Sequence, residues 1–177
     1  MLPTLTTEHL ILRPLHESDD ALLFELRGNP VMSEYINRKV YESIEEVRTW
    51  RERIMVSING ETVYYWAITL KDKDALIGTA LVFNISQENQ RAEIGYEMLP
   101  PFQGKGLTAE AVKAVADFCF NTLNLHSLEA VVVPENVASI KLLERNGFVR
   151  EGLFKEKEFC KGKFCDLAYY SKLNPQH

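Results

Sequence analysis

Gln103-Gly104-Lys105-Gly106-Leu107-Thr108-Ala109-Glu110 is the stretch on which the reading of this chain turns. It stands between a run with strand character, Arg91–Leu99, and a helix-periodic run, Thr108–Thr122. Glycine lets the backbone take torsions that other residues avoid and lets a ligand come close. Amide N–H groups gathered there, at the positive end of the following helix, make a phosphate site. A glycine-rich turn that only joins strand to helix would carry the same residues, so that reading stands beside the first.

Two other phosphate motifs fit less well. A Walker A loop needs Ser or Thr directly after Gly-Lys, where this chain has Gly106, and a Gly five residues before Gly104, where it has Leu99. Gly104-x-Gly106-x-x-Ala109 loosely matches a dinucleotide fingerprint. No acidic residue ends the next strand, however, and the chain continues to a hairpin instead of further strand–helix units.

Working outward, Pro100-Pro101 stops the preceding strand. Val112, Val115, Ala116, Cys119 and Leu123 give the following helix one apolar face. Leu128–Val133 reads as a continuous apolar strand, buried on both faces. A last helix covers Val137–Arg145, capped by Asn136 at its start and ended by Asn146-Gly147. Val149–Cys160 and Lys163–Leu173 form a hairpin around Lys161-Gly162.

Towards the N-terminus, Leu10–Leu15 is a first strand. A short helix from Ser18 to Arg27 is ended by Gly28 as a left-handed cap. Ser43-Ile44-Glu45-Glu46 is a capping box opening a helix that ends at Asn59-Gly60. Between these helices, 31–42 reads as a surface loop. Thr62–Leu70 and Ala75–Ile85 are strands. The element order predicts an α/β or α+β fold with a mixed sheet.

The 177 residues suit one domain, with its core over about 6–173. No run approaches the roughly 18 apolar residues of a membrane span, and Met1-Leu2-Pro3-Thr4 lacks the pattern of a secretory signal. A cytoplasmic location is the expectation. The net charge of -5 shows no basic stripe for nucleic acid and favours a cationic partner. Cys119, Cys160 and Cys165 read as structural, with Cys160 and Cys165 as cross-strand neighbours. His9, His16, His126 and His177 show no metal-ligand spacing, so no metal is expected.

The loop Gln103–Thr108 resembles the Gln/Arg-x-x-Gly-x-Gly/Ala loop of GNAT (Gcn5-related) N-acetyltransferases, with Thr108 where Gly or Ala is usual. Asn136-x-x-Ser139 followed by Asn146-Gly147-Phe148 resembles a second signature of that family. Thr7-Glu8-His9-Leu10-Ile11-Leu12-Arg13 and Gly162…Asp166…Tyr169-Tyr170 resemble its ribosomal-protein N-terminal acetyltransferase subgroup.

The resemblance implies a mostly antiparallel sheet splayed at a central parallel pair, with helices on both faces. It implies acetyl-coenzyme A (acetyl-CoA) as co-substrate. Backbone near Met98 would hold pantetheine, and the amides of Gln103, Gly104, Lys105, Gly106, Leu107 and Thr108 the pyrophosphate. Asn136 and Ser139 would lie at the thioester end. Glu93 or Glu158 would be the base, and Ser139 would serve the leaving thiolate, where many relatives use Tyr.

Tyr35, Trp66 and Tyr96 are candidates for the acceptor pocket, with 31–42 as its lid; the other reading makes them core aromatics. The acceptor expected first is a protein N-terminal α-amine. A small amine (polyamine, amino acid or antibiotic) and a non-catalytic acyl-CoA sensor are the alternatives. The resemblance also admits a homodimer.

Overall fold

The computed structural model describes residues 2–176; Met1 and His177, both named above, lie outside them. The elements run β1 (Leu5–Thr6), β2 (Leu10–Arg13), α1 (Asp20–Arg27), α2 (Ile44–Asn59), β3 (Tyr64–Leu70), β4 (Lys73–Ser86), β5 (Arg91–Met98), α3 (Leu107–Asn121), β6 (Ser127–Val132), α4 (Val137–Arg145), β7 (Val149–Cys160) and β8 (Lys163–Leu173). The strands form one eight-stranded sheet in the order β1-β2-β3-β4-β5-β6-β8-β7. Among the described residues only β5 and β6 pair in parallel; every other pair of neighbours is antiparallel. No helix among the described residues is long and apolar enough to cross a membrane.

Strand alternation sorts the core into two layers. On β3, Tyr65 meets Trp50 of α2 edge-on at 5.2 Å. Its neighbours Tyr64 and Trp66 meet Phe118 of α3 at 5.2 and 5.4 Å. One sheet face therefore carries α2 and the other α3. Along α3, Ala111, Val112, Val115, Ala116 and Cys119 are buried at helical spacing. At the sheet's β2 end, Arg13 grips Asp19 through both Nη atoms at 2.8 and 2.9 Å. The same Asp19 carboxylate accepts the His16 N–H at 2.7 Å, anchoring the entry to α1.

Several expectations are corrected. Trp66 has 0% exposure, donates its indole N–H to the Pro3 carbonyl at 2.7 Å, and belongs to the core, not to an acceptor pocket. Gly28 closes α1 at φ -90°, so no left-handed cap exists there. A Cβ at Gly28 would instead meet the Phe24 ring at 2.8 Å and its carbonyl at 2.9 Å, so the residue is small because the packing is tight. β6 alternates between buried and half-buried positions, because Glu129 and Val131 point to an incompletely covered face. The segment 31–42 is more than a surface loop, since Ser33 within it has 0% exposure. Cys160 and Cys165 are cross-strand neighbours as expected, in a diagonal sense, with Cys160 paired to Lys163 and Glu158 to Cys165. β1 was not anticipated; two residues carry too little pattern, and it exists through pairing with β2.

Candidate active site

The site begins where β5 and β6 part. Their pairing covers Arg91↔Ser127, Ala92↔Leu128 and Glu93↔Glu129 and then stops, although β5 runs on to Met98 and β6 to Val132. β5 keeps its antiparallel partner β4 as far as Met98. From Ile94 onwards its other edge has no strand partner. A gap between two parallel strands, with backbone donors and acceptors along one wall, suits an extended amide-bearing chain.

At the end of that wall, Pro100–Phe102 make one 3-10 turn. Gln103 then folds back and donates its amide Nε2 to the Met98 carbonyl at 2.7 Å. Gly104 and Gly106 follow at φ 71° and 80°. A Cβ at either would touch nothing within 4 Å, so their torsion, not crowding, requires glycine. Gly106 is the N-cap of α3 and offers no side-chain acceptor. The first helical donor to be satisfied is Glu110 N–H, onto the Gly106 carbonyl at 3.0 Å. Among the described residues, the amide donors from Gly104 to Ala109 find no protein acceptor. Free N–H groups at a helix start can receive an anion.

A carboxylate in that first turn, Glu110, would oppose an anion, but it is turned away. It accepts from Thr7 Oγ1 and from the His9 N–H at 2.8 Å, and its second oxygen meets His9 Nδ1 at 2.9 Å.

The two faces of the sheet at the gap carry different chemistry. Glu93 lies beside Glu129 on the α2 face, and the hairpin register puts Glu158 on that same face. Burial raises the Glu93 carboxyl above its ordinary range; a bond from Asn84 acts against this, and Glu129 and Glu158 add to it. The Asn84 bond, Nδ2 to Oε2 at 3.0 Å, comes from an irregularity in β4 where Asn84 sits at φ 50°. Glu158 faces a cavity of about 280 Å³ between the hairpin and the segment 34–37, which also presents Tyr35, Glu34, Glu135 and Asp166.

On the α3–α4 face, Tyr96 of β5 shares a 2.8 Å hydrogen bond with Ser139 of α4. Burial pushes the Tyr96 hydroxyl up to about 12, with the Ser139 bond acting to lower it. Asn136 caps α4 through Oδ1, accepting the Ser139 N–H at 3.2 Å. The structure thus gathers Glu93, Glu158 and Tyr35 on one side of the gap and Tyr96, Ser139, Asn136 and Met98 on the other, with Gln103–Thr108 at its end.

Tyr96, one of the candidates for acceptor lining or core, lies three residues from Glu93 along β5 and therefore on the opposite face, beside Ser139. Asn84 and Glu129 carried no signal of their places, since a bulge and a parallel register brought them there. A larger groove of about 640 Å³ lies between β1 and α3, away from the gap. Among the described residues no group of three or more His, Cys, Asp or Glu side chains is placed to hold a metal ion.

Comparison with known proteins converges on the same chemistry. The family model described as acetyltransferase (GNAT) domain matches residues 9–149. The chain is 36% identical over 177 residues to the uncharacterized N-acetyltransferase p20 of Bacillus licheniformis, covering 99% of each. It is similar to the spermidine N-acetyltransferase of Vibrio cholerae solved in complex with CoA and spermine, with a TM-score of 0.83, 28% identity, and coverage of 93% of this chain and 95% of that one. It is also similar to the ribosomal-protein-S5-alanine acetyltransferase of Vibrio fischeri, with a TM-score of 0.85, 25% identity, and coverage of 98% and 97%. The chain therefore belongs to the GNAT acetyltransferases and is an acetyl-CoA-dependent N-acetyltransferase.

Proposed function

We propose that the acceptor is the α-amine of a polypeptide N-terminus, reached from the face that carries Glu93 and Glu158. The observation that carries this reading is the openness of that face. Beyond Glu93 it continues over half-buried Val131 and Tyr169 to Phe154, which is 48% exposed and packs edge-on against Tyr169 at 4.8 Å. An extended chain could lie across such a surface, with its terminus at the gap. The cavity lining mixes Glu34, Glu135, Glu158 and Asp166 with Lys161 and Lys163, which suits one cationic end better than a bare polycation.

Acetyl-CoA supplies an activated thioester, and the free amides of Gly104–Ala109 would hold its pyrophosphate. Glu93 acts as the base that accepts the amine proton, directly or through one water. Its raised carboxyl makes it a stronger base than an ordinary glutamate. An α-amine, with an ordinary pKa near 8 against about 10.4 for lysine, gives up that proton more easily by roughly 3–4 kcal/mol. Backbone N–H along β5 near Met98 would stabilise the developing oxyanion. Ser139, bonded to Tyr96, delivers a proton or hydrogen bond to the departing sulfur. Holding the reactants in line supplies roughly 7–11 kcal/mol of the barrier reduction.

A second reading has its own support: Glu93, Glu129 and Glu158 form a carboxylate group that would also attract a polyamine. Thiol release from acetyl-CoA, measured with peptides bearing a free α-amine, with spermidine and with Nα-blocked lysine peptides, separates the two. Highest kcat/KM on the free α-amine supports the first reading. Turnover confined to spermidine replaces it by the second.

A further inference from the structure

The segment 31–42 reaches the acceptor cavity without joining any helix or strand, and it is held from two sides. On the β5 side, Arg38 donates from Nη1 and Nη2 to the two oxygens of Glu97 at 2.5 and 2.6 Å. It also donates from Nε to Ser33 Oγ at 3.1 Å and from Nη2 to the Leu26 carbonyl at 2.9 Å. Both side chains are nearly out of water, at 12% and 8% exposure. On the hairpin side, Lys161 donates from Nζ to the Ser33 carbonyl and to the Glu34 carbonyl, the latter at 3.2 Å. Asn37 donates from Nδ2 to the Phe159 carbonyl at 3.3 Å.

Stability alone does not explain a buried pair here. Removing two charges from water is costly, and an apolar pair of the same volume often stabilises as well or better. What a bidentate guanidinium–carboxylate pair adds is geometry, because the planar fork fixes both distance and angle. The position of Glu97 gives that geometry a use. It sits on β5 between Tyr96, bonded to Ser139, and Met98, whose carbonyl holds Gln103. Arg38 sits three residues beyond Tyr35, which lines the cavity.

We infer that Arg38 and Glu97 form a positioning pair that fixes the acceptor wall, Tyr35–Asn37, against the strand along which the thioester lies. Lys161 sets the same wall from the hairpin. The inference rests on reading the cavity beside Glu158 as the route of the amine. It goes further in making amine placement depend on a buried contact that touches neither reactant.

Three variants test it. Arg38→Lys keeps the charge and loses the fork. The double variant Arg38→Met with Glu97→Gln removes both charges, so neither is left buried alone. Lys161→Met alters an exposed side chain and spares the fold. The readouts are kcat and KM for the amine that the wild type acetylates best, acetyl-CoA affinity by calorimetry, melting temperature, and hydrogen exchange of residues 33–37.

Arg38→Lys is expected to lower kcat/KM for the amine by about tenfold or more, as misplacement of a reactant does. Its acetyl-CoA Kd should stay within about threefold. Lys161→Met should move the amine parameters in the same direction, by less. Exchange at 33–37 should rise in the double variant. Equal changes for amine and acetyl-CoA, or a lowered melting temperature with unchanged amine kinetics, would overturn the inference while leaving acetyl transfer in place. A wild type that acetylates no amine would instead sink the acceptor reading. Exchange at 33–37 would then still decide the pairing, with equal rates in wild type and double variant counting against it.

Discussion

Tyr96 and Ser139 come from different elements and meet through one hydrogen bond, so the two hydroxyls are expected to act as a unit. Ser139→Ala is expected to lower kcat by about 10- to 100-fold, at the low end of what a positioned proton donor contributes. Acetyl-CoA affinity should change far less. Tyr96→Phe should act in the same direction, and the double variant should lose less than the sum of the two free-energy changes, because each single change already breaks the shared bond. Rapid-quench turnover beside calorimetric affinity checks this; additive losses would separate the two hydroxyls.

Glu93 gives a pH signature of opposite sign for activity and stability. Its folded carboxyl is raised, first by burial and then by Glu129 and Glu158. In the unfolded chain it ionises at the ordinary value near 4.3. Between the ordinary and the raised value the folded protein holds the extra proton, so this group makes stability fall as pH rises through that window and leaves it lower above. If Glu93 is the base proposed above, activity needs its ionised form and rises through the same window. Glu93→Gln should therefore lose turnover and flatten the acid limb of kcat/KM, while its melting temperature near pH 8 equals or exceeds that of the wild type. A variant that loses stability at that pH would contradict the assignment of the shift to burial.

At the scale of elements, the loop before α3 carries the coenzyme-binding argument. Gly106→Ala would place a Cβ residue at φ 80°, where a side chain costs about 1–2 kcal/mol. Because that Cβ meets open space, the strain is conformational, and the loop can relax by turning its amides away. The expected result is weaker acetyl-CoA binding by about tenfold, with the amine KM little changed. Calorimetry on the variant reads it directly.

Element boundaries were largely legible because their signals are local. Asn136, Asn146-Gly147 and Lys161-Gly162 stand at the ends the structure shows for α4 and the β7–β8 hairpin. The turn at Lys161-Gly162 has φ 48° and 85°, a backbone that favours glycine at its second place. What stayed hidden were features made by partners. The bulge at Asn84 and the short β1 depend on neighbouring strands, and no residue there announces them, whereas the parting of β5 from β6 is implied by the family resemblance.

At the scale of the whole molecule, the face on which a residue lands decides its role. Trp66, read as either acceptor lining or core, lies on the α3 side and is enclosed by Tyr64 and Phe118. Trp66→Phe should lower stability by about 1–3 kcal/mol through lost volume and the lost bond to Pro3. It should leave the amine KM unchanged; thermal melts and steady-state kinetics read the two effects separately. Arg38 and Glu97 show the converse. They lie 59 positions apart in the chain, and only the folded molecule reveals them as partners. The glycine loop was legible for the same reason: its residues are consecutive, while the cavity beside Glu158 is assembled from hairpin and irregular segment.

The central claim is that the uncapped amides between β5 and α3 hold the diphosphate of acetyl-CoA. The most direct measurement is the amide proton–nitrogen NMR spectrum of the labelled protein during titration with CoA. The account expects the largest shifts at Gly104, Lys105, Gly106, Leu107 and Thr108, moving downfield as their N–H groups acquire acceptors. Shifts concentrated in the groove between β1 and α3, with these five amides unmoved at saturation, would contradict it.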